Sequence, residues 1–157
     1  MNVLFICTGN TCRSPMAEAL LRQAIDARGL AGQVTAASAG TGAWDGAPAS
    51  EGAYLIGLEH GMDLSDHRAR LLTKEIVQGA DVVLAMGRSH AARAAELGGG
   101  DRVHLLGEFA GRTGADAEIS DPFGGDLHDY RRTFEELQQL IGSVAARVAA
   151  ERSGDQR

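Results

Sequence analysis

The sequence places a thiol, a guanidinium and a hydroxyl close together near its amino end, as Cys7, Arg13 and Ser14 of CTGNTCRSP. An arginine fork can hold two oxygens of a phosphate group. Positive charge also favours the ionised, nucleophilic form of a nearby thiol, and a serine hydroxyl can donate a hydrogen bond to that thiolate. The pattern therefore predicts attack of Cys7 on phosphorus through a phosphocysteine intermediate. A lone cysteine after a strand would be only a small buried side chain.

The elements on either side of this pattern predict a phosphate-binding loop. Residues 2–6 are mostly apolar and predict a short buried strand. Pro15 is expected at the first position of a helix, where its missing N–H costs nothing. Between them, backbone N–H groups and the positive helix end can form an anion nest, with Gly9 permitting a tight turn. The predicted cradle around Cys7 and Arg13 consists of Thr8, Gly9, Asn10, Thr11, Cys12 and Ser14.

Strand and helix signals alternate along the rest of the chain. Apolar runs predict further strands at 33–37, 81–86 and 102–106, the first followed by a glycine-rich loop from Ser38. Helical spacing predicts helices at 15–29, 49–60, 89–97 and 127–150, the last with an apolar face that begins at Leu127. The alternation predicts βαβ units, with helices on both faces of a parallel sheet. Ligands of such sheets bind at the carboxyl ends of the strands, where Cys7 lies.

Composition sets the class of protein. The 157 residues are 44% hydrophobic and 23% charged, which suits one folded domain over 1–150 with a frayed tail at 151–157. The net charge of −6 argues against a broad nucleic-acid surface, and the apolar runs are too short to span a bilayer. The start, MNVLFICTGN, has no basic leader or cleavage site. We therefore expect a cytoplasmic protein without nucleic-acid or membrane partners.

Cys7 and Cys12 are the only two cysteines of the sequence. Two thiols cannot form a multi-disulfide framework, and in a reducing cytosol they favour a catalytic or redox role. Their spacing is not Cys-x-x-Cys and no histidine lies close in sequence, so no metal site is predicted. Cys12 could capture an oxidised Cys7 as a reversible disulfide. The alternative is that Cys12 is a small apolar filler.

An acid is also needed, because a phosphate ester or phosphoramidate requires protonation of its leaving atom. Asp121 of ISDPFGGD lies on a loop before the last predicted helix. Pro122 stiffens this loop, and the two glycines that follow Phe123 permit a tight return. Asp121 is thus the candidate acid, and its carboxylate could then activate the hydrolytic water. The alternative is an ordinary turn aspartate.

The chain resembles the low-molecular-weight protein tyrosine phosphatases over nearly its whole length. The motifs that carry the resemblance are CTGNTCRSP, SAG at 38–40, HRAR at 67–70, LAM at 84–86 and DPFGG at 121–125. The resemblance implies an α/β fold, a three-layer sandwich with a central four-stranded parallel sheet flanked by helices on both faces, with no metal or organic cofactor.

The same resemblance implies a role for each matching residue. Cys7 is the nucleophile, Arg13 the phosphate clamp, Ser14 the thiolate support, Asn10 a loop-bracing amide and Asp121 the general acid. The substrates would be phosphorylated proteins. The sequence leaves the oligomeric state open, a monomer included.

Thr11 bears on which phosphorylated side chain is the substrate. Tyrosine-directed members usually carry an aliphatic residue there, whereas the Thr11 hydroxyl can hydrogen-bond the guanidinium of phosphoarginine. CTGNTCRSPMAE with DPFGG resembles the protein arginine phosphatase branch, and we therefore expect phosphoarginine in proteins as substrate. Phosphotyrosine is the alternative, since Trp44 and Phe123 could form an aromatic rim. Thr11 could also be only a small loop residue, Trp44 a cover for the sheet, and Asp45 a contact for a cationic substrate.

Two other functions use a similar loop. Arsenate reductases of this fold relay electrons through two further thiols, and this chain has none beyond Cys12. A phosphocysteine carrier or a non-catalytic phosphate-binding module would not need Asp121 as an acid. Both are therefore weaker hypotheses than a phosphatase.

Overall fold

Four segments of the sequence form strands, and helices follow each of them. The structure, a computed structural model, describes residues 1–155, with the backbone alone at 115 and 153–155. The strands are β1 (Asn2–Cys7), β2 (Thr35–Gly40), β3 (Val82–Ala85) and β4 (Val103–Leu105). The helices are α1 (Arg13–Ala27), α2 (Glu51–Glu59), α3 (Lys74–Gln78), α4 (Arg88–Glu96), α5 (Leu106–Phe109) and α6 (Leu127–Asp155), with 3₁₀ turns at Gly100–Arg102 and Gly114–Ala117.

Strand β1 is buried on both faces and divides the core in two. Val3, Phe5 and Cys7 belong to a core shared with α1, α2 and α6. Leu4 and Ile6 belong to a second core shared with α3 and α4. Burial on both faces explains why the strand is continuously apolar. The three-layer arrangement expected from the sequence is confirmed.

The sheet brings the candidate site residues to one edge. Its strand order is β2-β1-β3-β4 and every neighbouring pair is parallel. The chain moves outward from β1 in both directions, so β1 lies at a topological switch point, where α/β sheets bind ligands. Cys7 is the last residue of β1. The loop that follows therefore opens into this crevice.

Strand β2 differs from the sequence prediction. We expected a strand at 33–37 and a loop from Ser38, but β2 covers Thr35–Gly40. Ser38 pairs with Phe5 in the parallel ladder, and it is 3% exposed. Pairing with a buried central strand thus outweighs the low strand propensity of the small residues in SAG.

Helix α1 begins two residues earlier than expected. Pro15 is the third helical residue rather than the first, because the helix starts at Arg13. Its first turn still tolerates proline, since the N–H groups there have no intrahelical acceptor. Cys12 occupies the N-cap position without a capping side-chain hydrogen bond. The early start places Arg13 and Ser14 within the first turn, next to the loop.

The carboxyl end of the chain also differs from the prediction. Helix α6 continues past residue 150 to Asp155, and residues 156–157 of the predicted tail lie outside the described residues. Leu127 is 41% exposed, so the buried face begins at Tyr130 instead. Among residues 1–155, no helix is both long enough and apolar enough to cross a membrane. The boundary of the domain at 150 stays a prediction.

Candidate active site

The thiol of Cys7 and the hydroxyl of Ser14 face each other at the base of the site. Their Sγ and Oγ atoms are 2.9 Å apart. Cys7 is 2% exposed and Ser14 is fully buried, so neither group is freely solvated. Strand β1 fixes the thiol, and the first turn of α1 fixes the hydroxyl. The serine hydroxyl is in position to donate a hydrogen bond to an ionised sulfur.

Asn10 ties the loop together from behind. Its Nδ2 donates to Ser14 Oγ at 2.8 Å and to Ser38 Oγ at 2.9 Å, and its Oδ1 accepts from the Arg70 N–H at 3.0 Å. His67 Nε2 lies 2.6 Å from the Asn10 carbonyl oxygen. The backbone of Asn10 is left-handed, with φ 57°, a conformation that asparagine tolerates better than most side chains. The residue thus connects three elements around one buried amide.

Gly40 allows β2 to run directly against the loop. A Cβ at this position would lie 2.4 Å from the Thr8 carbonyl oxygen and 2.9 Å from the Asn10 nitrogen. No side chain other than hydrogen fits this close approach of two backbones. The SAG motif therefore serves the loop through Gly40 as well as through Ser38.

Arg13 is held at both ends of its guanidinium. Its Nη1 donates to the Ile119 carbonyl oxygen at 2.8 Å, and its Nη2 lies 3.5 Å from Asp121 Oδ2. Arg13 is 6% exposed, whereas the Asp121 side chain is 47% exposed. The guanidinium is therefore fixed, and the carboxylate reaches it from solvent.

The loop that carries Asp121 is a tight turn. Asp121 Oδ1 accepts from the Phe123 N–H at 3.0 Å, and the Gly125 N–H donates to the Pro122 carbonyl oxygen at 2.8 Å. Gly124 has φ 82°, which favours glycine. These bonds hold the carboxylate at the mouth of the loop while leaving one of its oxygens toward Arg13.

One cavity of about 170 Å³ joins these parts. Its lining consists of Cys7, Thr8, Gly9, Thr11, Cys12, Arg13, Asp121 and Phe123. Of the predicted cradle, Asn10 and Ser14 do not line the cavity and are fully buried behind it. Trp44 is 84% exposed and does not line it either, so Phe123 is the aromatic residue at this rim.

Asp45 has a structural role outside the cavity. Its Oδ1 accepts from the Leu71 N–H at 2.7 Å, and it is not among the lining residues. The structure thus does not bring Asp45 to the cavity that holds Cys7 and Arg13.

Cys12 lies in a small hydroxyl cluster next to the cavity. Its Sγ is 3.3 Å from Ser50 Oγ and 3.3 Å from the Tyr130 hydroxyl oxygen. Burial, followed by the hydrogen bond to Cys12, raises the pKa of Tyr130 to about 12. Tyr130 therefore stays neutral at physiological pH. It links α6 to the predicted phosphate-binding loop at residues 7–13, the phosphate loop.

The sequence pattern did not predict the contacts that His90, Ser50 and Tyr130 make with the loop. His90 Nε2 and Thr8 Oγ1 are joined by a hydrogen bond of 2.9 Å, and Tyr130 reaches Cys12. His90 stands just beyond the carboxyl end of β3, and that position was the one available signal. His67 and Arg70 lay in the HRAR motif, but only the folded chain shows that they bind Asn10.

The comparisons with known proteins agree with this geometry. A sequence profile described as low molecular weight phosphotyrosine protein phosphatase matches residues 2–154. The chain belongs to this family, and it is accordingly a protein phosphatase. The fold class and the family expected from the sequence motifs are thus confirmed.

Relatives of two named specificities are similarly close. A protein-arginine-phosphatase of Bacillus subtilis is 38% identical over 154 residues, 97% of this chain and 99% of that protein. Low molecular weight protein-tyrosine phosphatase A of Mycobacterium tuberculosis is 39% identical over 144 residues, 90% of this chain and 87% of that protein. A solved structure of the arginine phosphatase YwlE, a C7S mutant with a phosphorylated active-site serine, has TM-score 0.89 and 36% identity, covering 98% of this chain and 99% of that one.

Proposed function

We propose that the protein removes phosphate from phosphoarginine in proteins by a two-step mechanism that begins at Cys7. The thiolate attacks phosphorus, so that an S–P bond forms as the P–N bond breaks. Asp121 gives its proton to the departing guanidino nitrogen. Arg13 and the loop N–H groups hold the phosphoryl oxygens as their charge develops. The placement of Cys7, Arg13 and Asp121 on one cavity is the observation that carries this proposal.

The second step returns the enzyme to its starting state. Asp121, now a carboxylate, takes a proton from water as the water oxygen attacks phosphorus. The S–P bond breaks, and Cys7 leaves as a thiolate that the Ser14 hydroxyl, 2.9 Å away, can stabilise. The phosphorylated active-site serine in the C7S mutant of the relative YwlE supports a covalent phosphoenzyme.

Two observations favour phosphoarginine as the substrate. Thr11 lines the cavity, and the hydrogen bond found for its hydroxyl among the described residues is a long one, 3.7 Å to Cys12 Sγ. That hydroxyl can pair with a guanidinium, and a polar site rejects substrates that leave its groups unpaired. Relatives named protein-arginine-phosphatase, at 38% and 40% identity, support the same choice.

Phosphotyrosine is the second candidate because of a specific feature of the rim. Phe123 lines the cavity and is 73% exposed, so a substrate ring could stack on it. The relative named as a tyrosine phosphatase is as similar to this chain as those named arginine phosphatases. Identity alone therefore does not choose between the two substrates.

Parallel assays of the two phosphorylated substrates test the proposal. We expect a higher kcat/KM for phosphoarginine than for phosphotyrosine in proteins, and Thr11→Ile should reverse or strongly reduce that preference. Cys7→Ser is the inactive control. An unchanged ratio in Thr11→Ile would contradict the role of the hydroxyl, and a wild-type preference for phosphotyrosine would contradict the substrate.

We also propose the cytoplasm as the place of action. The thiols of Cys7 and Cys12 are both free in the structure, and a nucleophilic thiol needs a reducing compartment to remain so. Phosphorylated proteins are the proposed partners.

A further inference from the structure

His90 is buried beside the phosphate loop, on the first turn of α4. It is 5% exposed, and its Nε2 lies 2.9 Å from Thr8 Oγ1. Thr8 directly follows Cys7 and lines the cavity. The hydrogen bond spans 82 positions of sequence, so it ties the loop after β1 to the helix after β3. Neither Cys7 nor Asp121 has a hydrogen bond to His90 among those that the described residues form.

The other ring nitrogen of His90, Nδ1, is buried and has no hydrogen-bond partner among the described residues. It faces the open side of Gly87, where an added Cβ would lie 3.4 Å from Nδ1 and 3.5 Å from Glu118 Oε1. Glu118 Oε1 instead accepts from the Arg88 N–H at 2.8 Å. A proton added to Nδ1 would therefore create a buried cation with no direct partner.

The charges around the ring favour its neutral form. Burial lowers the pKa of His90 below its ordinary value, and the positive charge of Arg13 on α1 lowers it further. The carboxylates of Asp121, in the loop before α6, and Glu118, after the second 3₁₀ turn, oppose this effect and are weaker. Arg88, on the same helix as His90, is paired with Glu118 at 3.5 Å. The guanidinium of Arg13 is thus the positive charge that, after burial, lowers the pKa of His90.

We propose that His90 is a positioning residue of the phosphatase, whose neutral imidazole orders the phosphate loop through the Thr8 hydroxyl without touching the substrate. The hydrogen bond fixes the residue next to the nucleophile, and so fixes the direction of the Thr8 N–H toward the phosphoryl oxygens. Preorganised N–H donors matter most in the transition state. This inference rests on the proposed cysteine mechanism, but not on the choice of phosphoarginine.

Three substitutions separate the hydrogen bond from the packing of the ring. In His90→Gln the side-chain amide can occupy the place of Nε2, whereas in His90→Asn it reaches only the place of Nδ1. With p-nitrophenyl phosphate as substrate, we expect His90→Asn and His90→Ala to lose about tenfold in kcat/KM, as for one hydrogen bond. We expect His90→Gln to retain most of the activity. Thermal melting of each variant shows that the protein compared is folded.

A double-mutant cycle tests the partner. Thr8→Val removes the hydroxyl with little change of shape, and Thr8→Ser keeps it. The double variant, Thr8→Val with His90→Ala, should lose as much kcat/KM as the more impaired single variant, because both substitutions remove the same hydrogen bond. The proposal would be overturned if the loss in the double variant were the product of the two single losses. It would also be overturned if His90→Gln were as impaired as His90→Ala.

The pH profile gives a readout that a merely structural role would not move. The ratio of kcat/KM between wild type and His90→Gln should stay constant down to the ordinary histidine range, about pH 6.5, and fall only well below it, where the wild-type ring gains a proton. A break at or above about pH 6.5 would contradict the neutral ring. A wild type inactive on every phosphate ester and phosphoarginine would contradict the proposed function instead, while an active wild type with unaffected His90 variants contradicts this inference alone.

Discussion

The carboxylate of Asp121 lies 3.5 Å from the guanidinium of Arg13, so the loop that carries the proposed acid is tied to the proposed phosphate-binding residue. Asp121 is half exposed, and the ion pair itself therefore adds little stability. Its value is positional. In the proposed mechanism, a phosphate held by Arg13 lies between the buried Cys7 thiol and the half-exposed Asp121 carboxylate, which line the same cavity.

Asp121→Asn tests the acid. The amide keeps the shape of the side chain and its turn, but it cannot give a proton, so turnover of phosphoarginine should fall by at least about 100-fold. Steady-state kinetics measures this, with Asp126→Asn as the matched control. Asp126 accepts from the Asp129 N–H at 3.0 Å, and asparagine preserves such a cap. Full activity in Asp121→Asn would remove the acid from the mechanism.

Asn10 should contribute strongly to the stability of the protein. Asn10→Ala leaves polar groups of Ser14, Ser38 and Arg70 without their partner, at about 1–3 kcal/mol for a buried group. We expect the free energy of unfolding to fall by about 3 kcal/mol or more, measured by urea denaturation. Asn10→Gly loses the same bonds but accepts the left-handed backbone, so it should be about 1 kcal/mol more stable than Asn10→Ala. Wild-type stability in both variants would contradict the bracing role.

Tyr130 should give the protein an alkaline loss of stability. Its folded pKa of about 12 exceeds the ordinary value of about 10, so the unfolded chain releases the proton first. The stability from this shift is fully present below about pH 10 and is lost as the pH rises through 12. Between these pH values, the free energy of unfolding measured with urea should fall more steeply with pH for wild type than for Tyr130→Phe. Tyr54→Phe is the control, and equal slopes for wild type and Tyr130→Phe would refute the assignment.

Cys12 is expected to protect the nucleophile against peroxide. Cys7 and Cys12 line the same cavity, so a sulfenic acid on Cys7 can condense with the Cys12 thiol, forming a disulfide and releasing water. Intact-mass analysis should show a loss of two hydrogens that accompanies the loss of activity. Dithiothreitol should restore both the mass and the activity. Cys12→Ser should instead be oxidised irreversibly. Sulfinic acid as the first product in wild type would count against the disulfide.

The sequence predicted the fold well where local pattern and burial agree. Apolar runs identified β1 and β3 because both are buried by helices on each face. The prediction placed β2 too early, because Ser38 and Gly40 are poor strand residues by themselves. Only their pairing with β1 makes them part of the ladder. The short helix α5 was missed because its four residues are too few to display a period.

The candidate site was predictable where its residues lie close together in the sequence. Cys7, Arg13 and Ser14 lie on one loop and one helix turn, so their spacing carries their geometry. His90 and Tyr130 contact that loop from 82 and 118 positions away. Such contacts depend on how α4 and α6 pack on the sheet, which spacing does not encode.

The most direct test of the proposed mechanism is to trap the covalent intermediate. Wild-type protein mixed with excess phosphoarginine peptide is quenched within its first turnover, digested and analysed by mass spectrometry. We predict one phosphoryl group on the peptide that contains Cys7, transient in wild type and absent from Cys7→Ala. Release of phosphate at an undiminished rate by Cys7→Ala, with no phosphopeptide in wild type, would contradict the mechanism.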